Sequence, residues 1–392
     1  MRRPPRRVAL FATHPIQYQV PWYRGMLHEG LDLHVFYSLI PDAEQQAVGF
    51  GGKFSWDVPL LDGYPWTLLQ QRVPRPSLGR FFGSWSAGIG RALVDLRPDI
   101  VLLTGWNQLP LLQALAAAVQ LGLPRIVRGE SNALRPRRQW TIPLHRALLA
   151  AYDGFLSIGH ANREFYERAG VPPYRIVEGG YFVDNDHIVA LADRELPRRT
   201  AIREGWGIPD GAVCFLFSGK LVAKKRPLDF VEALRRVANQ LPGGAVHGLV
   251  AGAGEMEGEV RSVVESLKVP LTLAGFLNQS EIGRAYAAAD VLVLPSDWGE
   301  TWGLVVNEAM LFGRPAIVSD RVGCGPDLVE DGETGFVFPF GEVDALVACM
   351  RECFEDGELR RRLGERAKTR VAGYSPSRGA AAARELVDRL VP

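Results

Sequence analysis

Short apolar runs alternate with helical patterns along the whole 392-residue chain. The runs are apolar at nearly every position, which is typical of parallel strands covered on both faces of a sheet. They form two series, and each series predicts one doubly wound α/β domain. The first series predicts strands at 8–12, 33–37, 100–104, 125–128 and 154–158, and the second at 214–218, 246–251, 271–274, 291–295, 316–318 and 335–338.

The spacing of these runs predicts the domain boundaries. An N-terminal Rossmann-like domain is expected over 1–190 and a second over 191–373. A final helix within 374–392 is expected to pack back towards the N-terminal domain. Weak periodicity over 41–80 predicts a long loop that is functional or mobile. Helices of the first domain are expected around 15–28, 84–97, 110–121, 142–151 and 160–169.

Composition excludes several classes of protein. Hydrophobic residues make up 47% and charged residues 23%, which is typical of a globular protein and not of a disordered or fibrous one. The net charge is +1, so no charge excess favours a nucleic acid partner. Four cysteines are too few for a disulfide framework and indicate a cytoplasmic protein. The longest apolar stretch, 109–124, is too short to span a bilayer.

Two glutamates flank the predicted start of a helix in the second domain. Glu300 precedes Gly303, where the helix is expected to begin, and Glu308 lies further along it. The free N–H groups of Gly303, Leu304 and Val305 and the positive end of the helix dipole predict an anion site. Carboxylates also accept hydrogen bonds from sugar hydroxyls. The alternative is an ordinary acidic residue beside a helix and a Glu that faces the core.

A lysine-rich turn follows the first strand of the second domain. Gly219 and Lys220 are followed by Lys224 and Lys225, so three of the six lysines lie within six residues. Ligands of open parallel sheets bind outside the carboxyl ends of the strands. Ammonium groups at that edge would neutralise a diphosphate, which is the interpretation we favour over a solvated charge run.

The glutamates and lysines together resemble a known family. Glu300-x7-Glu308 after a Pro-Ser, with Gly-Lys-Leu-x3-Lys upstream, is similar to the retaining glycosyltransferases of family 4. The resemblance implies a GT-B fold, in which two Rossmann-like domains face each other across a cleft. Further segments that carry it are 252–255, 274–277, 290–295, 312–318 and 331–335.

The resemblance also implies a role for each donor-side residue. Lys225 matches the lysine that contacts the donor diphosphate, and Lys220 stands where the family usually has Arg. Glu308 matches the acid that binds the nucleotide ribose. Glu300 matches the acid near the hydroxyls of the transferred sugar, and backbone groups at Leu277 would bind the edge of the base.

The first half departs from the family pattern at two places. Many members have a Gly-Gly pair at the start of the first helix, where this chain has His14 and the residues after it. Many also carry a His near the sugar, and the equivalent position here is Glu130. Both His14 and Glu130 are therefore candidate catalytic residues. A carboxylate at Glu130 can accept a hydrogen bond or a proton, but it lacks the proton chemistry of His.

The resemblance implies a retaining hexosyltransferase that needs no metal and no cofactor beyond its nucleotide-diphosphate sugar, expected to be a UDP- or GDP-sugar. The first domain would bind a glycan or lipid-linked acceptor and the second the donor, in cell-surface polysaccharide synthesis. The alternatives are a GT-B nucleotide-sugar epimerase and a non-catalytic sugar-nucleotide-binding protein.

Two further patterns bear on metals and membranes. Asp184-Asn185-Asp186 matches the Asp-x-Asp metal signature of another glycosyltransferase fold, but we interpret Asp184 as a helix N-cap. Arginines occur together with aromatic residues in 72–85 and 135–140. Such stretches suit an anionic membrane surface, so the protein is a candidate peripheral protein on the inner face of the cell membrane. The alternative is ordinary surface Arg and core aromatic residues.

Overall fold

The computed structural model describes residues 5–46, 52–138 and 140–392. These residues form two compact units. The first contains 5–46, 59–181 and 375–392, and the second contains 52–58 and 182–374. The chain therefore leaves the first unit after Tyr181, before the boundary expected at 190, and its C-terminal segment belongs to the first unit.

The first unit is built on a parallel sheet. Its strands are β1 (Arg7–Ala12), β2 (Asp32–Tyr37), β3 (Trp66–Leu68), β4 (Ile100–Leu103), β5 (Arg125–Val127), β6 (Gly154–Ser157) and β7 (Ile176–Glu178). They are hydrogen-bonded in the order β3-β2-β1-β4-β5-β6-β7. This is the doubly wound order, in which the chain starts in the middle of the sheet and reverses direction beside β1.

The second unit contains a second parallel sheet. Its strands are β8 (Val213–Ser218), β9 (Val246–Ala251), β10 (Leu271–Gly275), β11 (Val291–Leu294), β12 (Ala316–Ser319) and β13 (Gly335–Phe338), in the order β10-β9-β8-β11-β12-β13. Every residue of β8 is buried, because helices cover both faces of the sheet. Phe217 of this strand packs on Phe230 with the ring centroids 5.9 Å apart. The predicted fold class, two parallel-sheet α/β domains, is confirmed.

Helices connect the strands in both units. Those of the first unit are α1 (Val20–His28), α2 (Ala43–Gln46), α3 (Ile89–Leu96), α4 (Leu109–Gln120), α5 (Thr141–Leu149) and α6 (His160–Arg168). Those of the second are α7 (Asn185–Glu195), α8 (Arg199–Gly205), α9 (Pro227–Ala238), α10 (Glu257–Ser266), α11 (Gly283–Ala288), α12 (Leu304–Leu311), α13 (Gly325–Leu328), α14 (Val343–Glu355) and α15 (Gly357–Val371). The last helix, α16 (Pro376–Leu390), returns to the first unit.

Helix α16 packs on α1 through small residues. A Cβ at Gly25 would lie 3.1 Å from the Cβ of Ala380, so the absence of a side chain at Gly25 allows the two helices to approach closely. Ser375 caps α16, because its side chain accepts a hydrogen bond from the backbone N–H of Arg378 at 3.2 Å.

Some sequence-based element assignments were wrong. The helix predicted over 84–97 begins only at Ile89, because Gly88 adopts a left-handed φ of 75° and Ser86 forms an antiparallel bridge with Gln71. The helix predicted from 15 begins at Val20. The region 41–80 is not a plain loop, since it contains α2 and β3.

Within the described ranges, no helix combines the length and the apolar character that crossing a membrane requires.

Candidate functional site

The lysine-rich turn and the first glutamate lie at the same edge of the second sheet. The turn follows β8 and the glutamate loop follows β11, and these strands are neighbours in the sheet. Backbone and side-chain hydrogen bonds tie the two segments together. The N–H of Asp297 donates to the carbonyl of Lys224 at 2.8 Å, and Nζ of Lys224 donates to the carbonyl of Gly299 at 3.2 Å.

Lys225 and Glu300 form an ion pair at this edge. Their side chains are only 12% and 14% exposed, so the pair is shielded from water more than a surface salt bridge is. The hydroxyl of Ser296 also donates to Oε2 of Glu300 at 3.4 Å. The structure therefore brings together the two residues for which the sequence predicted contacts with the diphosphate and with the sugar.

Positive charge is concentrated at the beginning of the turn. Gly219 adopts a φ of 136°, and a Cβ there would lie 3.5 Å from Nζ of Lys225. Lys220 follows it and is half-buried. Burial, and then the charges of Lys224 and Lys225, lower the pKa of Lys220. A bound anion would relieve both the repulsion and the loss of solvation.

The N-terminus of α12 lies next to this ion pair in the chain. Gly303 precedes the helix with a left-handed φ of 103°, and no side chain caps it. The preceding loop is held in place, because the N–H of Gly323 donates to the carbonyl of Glu300 at 3.1 Å. The helix begins with Leu304 and Val305. Both residues are half-buried, and their backbone N–H groups lie at the N-terminus of the helix. Such a helix end suits a phosphate group.

Glu308 lies in the second turn of α12. Its Oε2 accepts a hydrogen bond of 2.5 Å from the hydroxyl of Tyr286 in α11. Burial raises the pKa of Glu308 to about 7, although the bond from Tyr286 acts in the opposite direction. Part of the side chain remains accessible to solvent, so a ligand can reach it. Tyr286 was not predicted from the sequence; its signal is a hydroxyl in a helix whose other residues are Gly, Ala and Arg284.

Leu277 lies at the same edge of the sheet, beyond the end of β10. Gly275, the last residue of that strand, turns the chain with a φ of 74°. Phe276 and Leu277 follow and are both half-buried. The chain then leads directly into α11, which carries Tyr286.

His14 and Glu130 both belong to the first unit, where they follow β1 and β5 at the carboxyl edge of the sheet. Nδ1 of His14 lies 2.9 Å from the hydroxyl of Thr13. Burial lowers the pKa of His14 to about 4, so its imidazole is neutral at pH 7. Oε1 of Glu130 accepts a hydrogen bond of 2.5 Å from the hydroxyl of Tyr181.

A buried arginine lies beside Glu130 in the sequence and was also missed. The guanidinium of Arg128 is 4.9 Å from the ring centroid of Trp22 and 4.6 Å from that of Tyr181. Tyr18 packs edge-on against Tyr181 at 5.5 Å. Cation–π contacts of a buried guanidinium are stronger than exposed ones. Arg128 thus packs on the ring of Tyr181, the residue whose hydroxyl donates to the Glu130 carboxylate.

The structure supports the capping role of Asp184. Its side chain accepts a hydrogen bond of 3.1 Å from the backbone N–H of His187 at the start of α7, which confirms that interpretation. Among the residues that the structure describes, no three His, Cys, Asp or Glu side chains are grouped to hold a metal ion.

Comparison with known proteins gives matches to glycosyltransferases. Residues 198–370 match the family model described as "Glycosyl transferases group 1". This range lies in the second unit and contains all the donor-side residues described above. The chain is 34% identical over 147 residues to the sulfoquinovosyl transferase of Arabidopsis thaliana, a match that covers 37% of this chain and 28% of the relative.

A longer match, 28% identical over 260 residues, is to the alpha-D-kanosaminyltransferase of Streptomyces kanamyceticus, and it covers 63% of this chain and 65% of the relative. Both matches span less than two thirds of the relative's length. Among solved structures, HepE of Anabaena in complex with UDP and glucose has a TM-score of 0.71 at 15% identity, over 98% of each chain. At that identity the likeness shows a common fold.

Proposed function

We propose that this protein is a glycosyltransferase that uses a nucleotide-diphosphate sugar as its donor. The observation that carries the proposal is the ion pair of Lys225 with Glu300 beside the uncapped N-terminus of α12. This arrangement offers positive charge to a diphosphate and a carboxylate to sugar hydroxyls. The family model over 198–370 and the names of the similar proteins support the same class of reaction.

The diphosphate is bound by Lys225, Lys220 and the N–H groups of Leu304 and Val305. Before the donor binds, Glu300 neutralises Lys225 and holds its ammonium group at the edge of the sheet. In the complex that ammonium group contacts a phosphate oxygen. When the bond between the sugar and the diphosphate breaks, the negative charge that develops on the leaving oxygen is stabilised by these groups.

The two glutamates divide the rest of the donor between them. Glu308 accepts hydrogen bonds from the ribose hydroxyls, since it lies inside α12 beyond the anion site. Glu300 accepts them from the transferred sugar, since it lies on the loop that precedes the helix. Backbone groups at Leu277 bind the edge of the base.

The first unit binds the acceptor, with Glu130 and His14 as its polar groups. Glu130 accepts a hydrogen bond from an acceptor hydroxyl other than the attacking one, because Tyr181 occupies only one of its oxygens in the described contacts. We propose retention of configuration: the attacking hydroxyl approaches on the face from which the diphosphate leaves. Its proton passes to the departing phosphate oxygen as the new glycosidic bond forms and the old one breaks.

This function is tested by incubating the protein with UDP-, GDP- and dTDP-sugars in excess EDTA, with water as the acceptor of the sugar, and measuring the nucleotide released. We expect release from one donor class, because lysines and a helix end replace a metal ion at the diphosphate. A requirement for Mn²⁺ or Mg²⁺ would contradict metal independence. An isomerised sugar without nucleotide release would indicate an epimerase, and tight binding without turnover would indicate a binding protein.

We propose a glycan or lipid-linked acceptor in cell-surface polysaccharide synthesis, used by a cytoplasmic enzyme at the inner face of the membrane. Exposed aromatic residues beside arginines support this surface. Phe82, Trp85 and Trp140 are 75%, 52% and 66% exposed. Arg80 and Arg138 are their neighbours in the sequence.

The membrane surface is tested by sedimentation with vesicles. We expect weak binding to vesicles that contain anionic lipid, and weaker binding as salt rises, because exposed charges are screened over about 8–10 Å. Trp85→Ala together with Trp140→Ala should reduce the bound fraction. Equal sedimentation with neutral and anionic vesicles would contradict the proposal.

A further inference from the structure

A short segment of the first half of the chain belongs to the second unit. Residues 52–58 make their contacts there, although the residues described on either side of them belong to the first unit. We call residues 54–57 the aromatic segment, because Phe54 and Trp56 alternate in it with Ser55 and Asp57. Nothing in the sequence pattern pairs this segment with the second unit.

The aromatic segment packs on the turn after β10. The ring of Phe54 lies 4.4 Å from that of Phe276, measured between centroids, at an angle of 39°. Trp56 contacts Phe54 edge-on at 5.0 Å, and its ring is 6.4 Å from that of Phe276. All three rings are half-buried, so each keeps part of its surface exposed to solvent.

Polar contacts hold the segment in place on both sides of the rings. Nδ2 of Asn278 donates to the carbonyl of Ser55 at 2.8 Å. The carboxylate of Asp57 accepts hydrogen bonds from the backbone N–H of Ser280, at 3.1 Å, and from its hydroxyl. The rings are therefore fixed in position before any ligand arrives, which lowers the cost of ordering them on binding.

The position of these rings fits the base of the nucleotide. The strand order puts β10 two strands from β8, a displacement of about 10 Å at the usual spacing between strands. This is close to the reach of a nucleotide from its diphosphate to its base. The turn after β10 also leads into α11, whose Tyr286 binds the Glu308 proposed to hold the ribose.

We infer that the aromatic segment forms one wall of the nucleobase site and that Phe54 stacks on the base, which makes residues 54–57 a determinant of donor specificity. The inference rests on the proposed use of a nucleotide-diphosphate sugar. Aromatic rings bind bases through their faces, and one such stack changes affinity by about tenfold or more. Polar groups of the turn then bind the edge of the base.

The test measures the dissociation constants of UDP, GDP and dTDP by calorimetry for the wild-type protein and for two variants. Phe54→Ala should raise the Kd of the tightest-binding nucleotide about tenfold. Phe54→Leu keeps an apolar contact with Phe276 but cannot stack, so it should raise the Kd in the same direction. Inorganic pyrophosphate, measured as a competitor of the nucleotide, has no base and should bind equally well to all three proteins.

Tyr174→Ala is the matched control, because Tyr174 is a 71% exposed aromatic residue of the first unit. It should leave every Kd unchanged. An unchanged nucleotide Kd in folded Phe54→Ala overturns the inference and leaves the proposed function standing. So does an equal loss of pyrophosphate binding, which would indicate a general disturbance of the second unit. A wild-type protein that binds none of the three nucleotides overturns both.

Discussion

Lys225→Ala is expected to lower kcat/KM for nucleotide release by about 100-fold or more while the protein stays folded. The ammonium group of Lys225 lies at the carboxyl edge of β8, paired with Glu300 and shielded from water. A charge in such a place stabilises the departing diphosphate more strongly than an exposed one. The measurement is steady-state release of nucleotide, with thermal unfolding of each variant as the check on folding.

Two further variants identify the cause of that loss. Lys368→Ala removes an exposed lysine of α15 and should leave kcat/KM unchanged. Lys225→Ala also leaves Glu300 without its partner, so the double variant Lys225→Ala/Glu300→Gln is needed. A double variant as active as Glu300→Gln alone would show that the unpaired carboxylate, and not the lost phosphate contact, caused the defect. Wild-type kcat/KM in the single variant would remove Lys225 from the site.

The central strands could be predicted from the sequence because they are buried on both faces. β8, β9, β11 and β12 are apolar at nearly every position, and this pattern belongs to the middle of a parallel sheet. The edge strands β3 and β7 of the first unit were missed. Each has only three residues, and those of β3 are exposed, so neither carries a continuous apolar run.

The polar groups of the site that come directly after strands were also predictable. Lys225 and Glu300 follow neighbouring strands of one sheet, and the carboxyl ends of parallel strands share an edge. Tyr286 could not be placed in the same way, since its contact with Glu308 depends on how two helices pack. The aromatic segment depends on a contact between distant parts of the chain, which periodicity does not record.

Glu308→Gln should raise the Kd of the free nucleoside diphosphate by about tenfold or more. An ionised carboxylate accepts stronger hydrogen bonds from ribose hydroxyls than an amide does. Glu300→Gln should leave that Kd unchanged or lower it, because loss of the ion pair frees Lys225 for the diphosphate. Its defect is expected in turnover or in the choice of donor sugar. Calorimetry with the free nucleotide and with the intact donor distinguishes the two roles.

The pKa of Glu308 should make its contact with the ribose dependent on pH. Burial raises that pKa to about 7, so about a tenth of the side chains are ionised at pH 6 and about nine tenths at pH 8. If the ionised form binds the ribose, donor affinity should rise about tenfold between pH 6 and pH 8. The intact donor is the right ligand for this measurement, because both of its phosphates are esterified and neither titrates in this range.

Glu308→Gln should remove this pH dependence, and Glu300→Gln should preserve it. His14 and Tyr286 cannot produce the same profile. The pKa of His14 is about 4, and burial raises that of Tyr286 well above its ordinary value, so neither titrates between pH 6 and pH 8. A donor affinity in Glu308→Gln that still rises tenfold over this interval would assign the titration to another group.

An equal rise in the Kd of the free nucleotide in both variants would show that ribose and sugar are not divided between the two glutamates as proposed.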